Sequence, residues 1–119
     1  MTDFKKNKLD EDTINGFIME IKEDIESLES DLLTMEKETL ATKGRVINRA
    51  FRAIHSIKGG AGFCGLENLG SLSHSMENVL MQMRNQKLTI NTDIIDTLLA
   101  GTDKIKLMTE NINSEELIS

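Results

Sequence analysis

Apolar residues recur at alternating three- and four-residue steps in four separate blocks of this sequence, and no proline interrupts any of them. That spacing gathers one face of an α-helix and would scatter over both faces of a strand, so the chain is committed to helices. The first block runs Ile14, Phe17 or Ile18, Ile21, Ile25, Leu28, Leu32 and Met35, and the second Ile47, Ala50, Ile54, Ile57 and Ala61. The third runs Leu66, Leu69, Ser73, Met76, Leu80 and Met83, and the fourth Ile94 or Ile95, Leu98, Ile105, Met108 and Ile112. Asp10, Glu11 and Asp12 suit the positive end of a helix dipole, the charges of Arg84-Asn85-Gln86-Lys87 suit a negative end, and Asn91 is an N-cap. The predicted helices cover 10–37, 43–62, 66–86 and 91–112, and such short connections favour antiparallel sequential neighbours. The fold expected is all-α, an up-and-down antiparallel four-helix bundle forming a single domain over 1–119, with room for a short extra helical segment at the C-terminus. Met1 to Leu9 reads as a polar leader and Asn113 to Glu116 as a frayed or linker-like end.

The second block contains an anomaly. Gly59, Gly60 and Gly62 stand inside its helical pattern, although each costs about 1 kcal/mol against alanine in a helix interior. Clustering them makes sense if bare backbone is wanted there, and the group beside them is His55. At about 100° per residue, His55, Gly59, Arg52 and Asn48 form a stripe turned away from the apolar face, so the imidazole should reach solvent. Gly59 and Gly62 keep the strip open to a large partner, with Arg52 and Ser56 beside it. Lys58, three residues on, can bring its ammonium near an anion carried by the ring. In the third block Glu77 falls at the margin of the apolar face, among the small residues Gly70 and Ser73. A carboxylate there is costly without a partner, and the nearest plausible one is His55 on the adjacent helix. An ordinary surface histidine at a glycine-weakened helix end would carry the same His-x-x-Lys-Gly sequence.

The run Phe51-Arg52-Ala53-Ile54-His55-Ser56-Ile57-Lys58-Gly59-Gly60-Ala61-Gly62 resembles the phosphoacceptor helix of histidine phosphotransfer (HPt) domains, most of all those at the N-terminus of CheA-type chemotaxis kinases. Leu72-Ser73-His74-Ser75-Met76-Glu77-Asn78-Val79-Leu80 is similar to the next helix of such domains, and Leu88-Thr89-Ile90-Asn91-Thr92-Asp93-Ile94-Ile95-Asp96 to the approach to their fourth. Phe63-Cys64-Gly65-Leu66 follows the glycines where the family varies. The resemblance implies that His55 accepts a phosphoryl group from ATP bound, with magnesium, in a separate histidine kinase catalytic domain. It further implies that His55 passes the group to an aspartate of a response-regulator receiver domain, and that His74 matches a second histidine that supports the site without being phosphorylated. Imidazole chemistry gives Glu77 its part: a carboxylate on one ring nitrogen fixes the tautomer and supports the positive charge that develops as the other attacks. Lys58 would offset the phosphoryl charge.

The remaining features bound the alternatives. A formal charge of −6 argues against nonspecific nucleic-acid binding. Between Lys43 and Leu66, however, there are five basic residues, Lys43, Arg45, Arg49, Arg52 and Lys58, and no acid, which makes that stretch the best environment for an anion. The lone Cys64 permits no internal disulfide and no zinc constellation. No signal-peptide pattern and no membrane-length apolar run is present, so a cytoplasmic location without membrane insertion is expected. No phosphate-binding Gly-x-x-x-x-Gly-Lys-Ser/Thr loop occurs, so no cofactor is expected in this chain and a partner must supply the nucleotide. A metal site built from His55, His74 and Glu77 is disfavoured, because bundle sites use paired Glu-x-x-His motifs. The competing readings are a free-standing HPt phosphorelay protein and a non-catalytic helical interaction bundle.

Overall fold

Four helices follow the four periodic blocks in a computed structural model that describes residues 11–38 and 40–112. They are α1 (Glu11–Met35), α2 (Leu40–Cys64), α3 (Glu67–Arg84) and α4 (Thr92–Glu110). Helix α2 packs along both α1 and α3, and α4 closes the bundle against the same two. With connections this short, the arrangement is the antiparallel up-and-down bundle that the periodicity predicts. Among the described residues no helix is long and apolar enough to cross a membrane. The polar leader and the C-terminal segment lie outside the described residues.

The apolar stripes meet in one core. Ile14, Ile18, Ile21, Ile25, Leu28, Leu32 and Met35 of α1 are all buried, and each such side chain contributes about 1.5–3 kcal/mol. Ile18, not Phe17, takes the inward position; Phe17 lies half-buried and stacks on Phe63 of α2 with ring centroids 4.3 Å apart. In α4 Ile95 faces the core and Ile94 lies beside it. Thr102 and Thr109 are also fully buried, which an apolar count cannot see. Each is satisfied locally, Thr102 Oγ1 donating to the Leu98 carbonyl and Thr109 Oγ1 to that of Ile105, both at 2.8 Å. Ser73 does the same with the Leu69 carbonyl at 2.7 Å. A hydroxyl bonded four residues back hides its polarity inside the helix, so these positions pack as small apolar ones.

The helix ends differ from the predicted ones for identifiable reasons. Helix α2 begins at Leu40, three residues early, and does not stop at its glycines; it continues through Gly59, Gly60 and Gly62 to Cys64. What ends it is Gly65, at φ +73°, where Leu66 N–H donates to the Ala61 carbonyl at 2.8 Å and Gly65 N–H to that of Gly62 at 3.3 Å. This is a Schellman closure, and it needs a left-handed residue that glycine supplies without steric cost. Helix α3 ends at Arg84 rather than at 86 by the same device, with Lys87 N–H on the Gln82 carbonyl at 2.8 Å and Gln86 N–H on that of Met83 at 3.1 Å. Here the left-handed residue is Gln86, at φ 61°. Gln86→Gly is therefore expected to stabilise the bundle by about 1 kcal/mol, seen as a raised denaturation midpoint at unchanged slope. A lowered midpoint would show that the Gln86 side chain contributes more than its backbone costs. Asn91 caps α4 as predicted, its side-chain oxygen accepting from Ile94 N–H at 2.9 Å. Helices α1 and α4 each stop two residues before the predicted 37 and 112.

Candidate functional site

The buried face of α2 consists of Val46, Ile47, Ala50, Ala53, Ile54, Ile57 and Ala61. Its opposite side turns Asn48, Arg52, His55 and Gly59 to solvent, as the angular arithmetic requires. The His55 side chain is 64% exposed, yet one edge of its ring is held from α3 by Glu77, whose side chain is only 5% exposed. Nδ1 of His55 meets Oε2 of Glu77, and Lys58 Nζ donates to the other oxygen, Oε1, at 2.7 Å. A carboxylate only accepts, so Nδ1 carries the hydrogen, and the Nε2 lone pair is left on the exposed part of the ring.

The two bonds also set the charge of Glu77. Burial works to raise its pKa, but the hydrogen bonds from Lys58 and His55 and their attraction prevail, holding the carboxyl below its ordinary value. His74 joins more loosely, with Nδ1 3.9 Å from Glu77 Oε1, beyond hydrogen-bond reach. Three of the four predicted site residues thus form one connected unit, and His74 stands at its edge.

The glycines separate into two kinds. A Cβ added at Gly59 or Gly62 would meet nothing within 4 Å, so packing does not require glycine at either. Gly60 is buried, and a Cβ there would lie 3.2 Å from Cδ1 and 3.3 Å from Cγ1 of Ile21, so this glycine lets α1 approach α2. Interhelical packing accounts for Gly60, while the surface beside Gly59 and Gly62 is open. Gly60→Leu is accordingly expected to destabilise the fold by about 1–3 kcal/mol through overpacking, whereas Gly59→Gln leaves it as stable or more so. Thermal melts of the two variants check this, and equal losses would put both glycines in the core.

Ser56 lies toward α1, near enough to Asp24 for its hydroxyl to favour the ionised carboxyl. Burial, reinforced by Glu20 and Glu23 and opposed by the Ser56 hydroxyl, pushes the Asp24 carboxyl up. Arg52 remains exposed on the His55 stripe. The basic stretch proves less positive than the linear sequence suggests. Arg49 reaches back to buried Asp31 of α1, its Nη2 2.7 Å from Oδ1 and its Nε 3.1 Å from the same oxygen, while Lys58 is paired with Glu77. The acids that balance α2 lie on neighbouring helices, where a scan along the chain does not meet them.

Apart from its anchored edge, the His55 ring stands open to solvent. A hollow of about 660 Å³ lies two turns away toward the start of α2, walled by Lys43, Ile47, Met83, Arg84 and Ile90 among others. Among the described residues no group of three or more His, Cys, Asp or Glu side chains is arranged to hold a metal ion. Burial pushes the Cys64 thiol up, away from thiolate reactivity. Two residues outside the predicted set build up beside the ring: Phe51, whose plane lies 12° from that of His55 with centroids 6.1 Å apart, and behind it Arg84, whose guanidinium carbon sits 4.2 Å from the Phe51 ring centroid. The four-residue step from Phe51 to His55 made the first of these legible in the sequence; nothing local pointed to Arg84.

Comparison with known proteins finds relatives in sequence and in fold. The Hpt domain family model matches residues 12–115. The chemotaxis protein CheA of Treponema pallidum is 33% identical over 101 residues, a match spanning 85% of this chain and 12% of that protein. The CheA of Salmonella typhimurium is 38% identical over 109 residues, spanning 88% of this chain and 16% of its own length. Among solved structures, the solution structure of the histidine phosphotransfer domain of CheA superposes with a TM-score of 0.80 at 37% identity, covering 90% of this chain and 79% of that one. The CheA phosphotransferase domain from Thermotoga maritima gives 0.77 at 35% identity, covering 86% and 95%.

Proposed function

This chain belongs to the Hpt domain family, and from that premise we propose that His55 is its phosphoacceptor in a two-component chemotaxis pathway. The observation that carries the reading is the ring of His55, anchored through Nδ1 by the buried Glu77 carboxylate and exposed elsewhere. In the first half-reaction the Nε2 lone pair forms a bond to the γ-phosphorus of ATP as the bond to the bridging oxygen breaks and ADP leaves. Positive charge develops on the imidazole, and Glu77 lies at the nitrogen where it is best stabilised. In the second, an aspartate oxygen of a receiver domain attacks the same phosphorus, the N–P bond breaks, and the ring returns to its starting state. Lys58, now bonded to Glu77, orients that carboxylate and places a cation near the incoming phosphoryl group; His74 adds support from α3.

The partners proposed are a CheA-type histidine kinase catalytic domain, which brings ATP and magnesium, and response-regulator receiver domains. The location proposed is the cytoplasm. The open surface around His55 suits transfer between macromolecules better than capture of a small substrate, and Gly59 and Gly62 leave their approach unobstructed. Incubation with a CheA-type catalytic core and labelled ATP tests the reading. The expected product is one phosphoryl group per chain, acid-labile and alkali-stable, that is lost on addition of a receiver domain. A chain that takes no label under conditions where the kinase's own substrate domain does would be an interaction bundle instead.

A further inference from the structure

A hydrogen bond at Nδ1 fixes one point of the His55 ring but leaves its plane free to swing about that bond. A second restraint comes from the other side of the helix turn. Phe51, one turn earlier on α2, is partly buried against the core, and its ring lies nearly parallel to the imidazole, 12° between planes and 6.1 Å between centroids. Parallel aromatic pairs at this separation attract in offset geometry. Phe51 is in turn covered by the guanidinium of Arg84, 4.2 Å from its centroid, well within the range of a cation–π contact. Arg84 stands in the last turn of α3, seven residues beyond Glu77, or about 10 Å along the helix axis. Helix α3 therefore grips the ring twice, through Glu77 directly and through Arg84 by way of Phe51.

We infer that Arg84 and Phe51 are positioning residues for phosphoryl transfer, holding the plane of the His55 imidazole so that Nε2 faces an incoming phosphorus. The inference rests on His55 being the acceptor, and it accounts for an exposed arginine laid across an aromatic ring beside that histidine. Orientation is where such a hold acts, since a nucleophile must meet phosphorus in line with the departing group. Arg84 also suits the dipole of α3, but that role reaches only helix stability and leaves the imidazole untouched.

The test uses the whole chain and free phosphoramidate, in which the Nε2–P bond forms as the donor's own P–N bond breaks and ammonia leaves. Arg84→Gln and Phe51→Leu should each slow labelling of His55 about three-fold, the equivalent of one exposed cation–π contact. Combined, they should cost no more than Phe51→Leu alone, because Arg84 works through that ring. Arg84→Lys and Phe51→Tyr keep the contact and should restore most of the rate. NMR relaxation of the His55 ring carbons should show greater ring motion in Arg84→Gln and Phe51→Leu, with the bundle still folded. Unchanged rates and ring motion in folded Arg84→Gln overturn the inference, as does an Arg84 effect that persists undiminished without the Phe51 ring. Ring relaxation needs no chemistry, so loss of the restraint stays visible even if wild type takes no label, an outcome that would instead remove the phosphoacceptor assignment.

Discussion

His55→Gln is expected to reduce phosphoryl acceptance to background, at least a hundred-fold below wild type, in a protein that still folds. The side chain is 64% exposed and contributes nothing to the core, and glutamine can still donate to Glu77, so stability should stay within about 1 kcal/mol. Among the described residues neither His74 nor Cys64 is placed to replace it. The His74 ring is 61% exposed but its Nδ1 lies 3.9 Å from Glu77, too far for the bond that would bias its tautomer. Cys64 has its thiol pushed up by burial, which lowers its supply of thiolate. Labelling with kinase and ATP, followed by a melt of the same sample, gives both quantities. Wild-type labelling in folded His55→Gln would refute the assignment, and the same experiment on His74→Gln would show whether the histidines exchange roles. On the supporting role proposed for His74, that second variant is expected to accept label, but more slowly.

The fold was legible because a four-helix bundle is written in its periodicity, and the inward residues of α1, from Ile14 to Met35, fall where alternating three- and four-residue steps put them. Position His55 was legible for the complementary reason: it lies on the side of α2 opposite those steps. Illegible were features that depend on a partner distant in sequence. Gly60 reads like Gly59, yet only Gly60 faces Ile21. Arg49 reads as part of an anion-attracting stretch, yet it holds Asp31 eighteen residues back. Thr102 and Thr109 read as polar, and their burial depends on carbonyls four residues earlier that quench the hydroxyls. Helix α2 was expected to stop where its propensity weakens, but helix interiors held by packing on two sides tolerate poor formers, and only the left-handed Gly65 ends the turn. Glu77 lies between the two cases. Its position at the edge of an apolar face, next to a histidine-bearing helix, was enough to predict the bond; that Lys58 takes the carboxylate's other oxygen was not.

Glu77 gives the second large effect, because one carboxylate serves both geometry and charge. Glu77→Gln keeps one acceptor oxygen, which can serve His55 Nδ1, but turns the other, which Lys58 now uses, into a donor and removes the charge facing the developing imidazolium; Glu77→Ala removes acceptor and charge together. Loss of a single pre-organised group beside developing charge costs on the order of 100–1,000-fold, so alanine should fall in that range and glutamine about ten-fold below wild type. Stability should follow with its own pH signature. The folded state holds Glu77 below its ordinary value of 4.5, so the unfolded chain takes up this proton first as pH falls. The stabilisation it provides is thus fully present above about pH 4.5 and disappears as pH drops through the lower folded value. Denaturation of wild type and Glu77→Gln in parallel should show a gap favouring wild type at pH 6 that narrows below about pH 4.5. A gap that persists undiminished at the lowest pH where both remain folded would mean that shape, not charge, makes this residue stabilising. If the rates of Glu77→Gln and wild type also coincide, the carboxylate supplies no charge to the reaction, and its bond to His55 serves only to orient the ring.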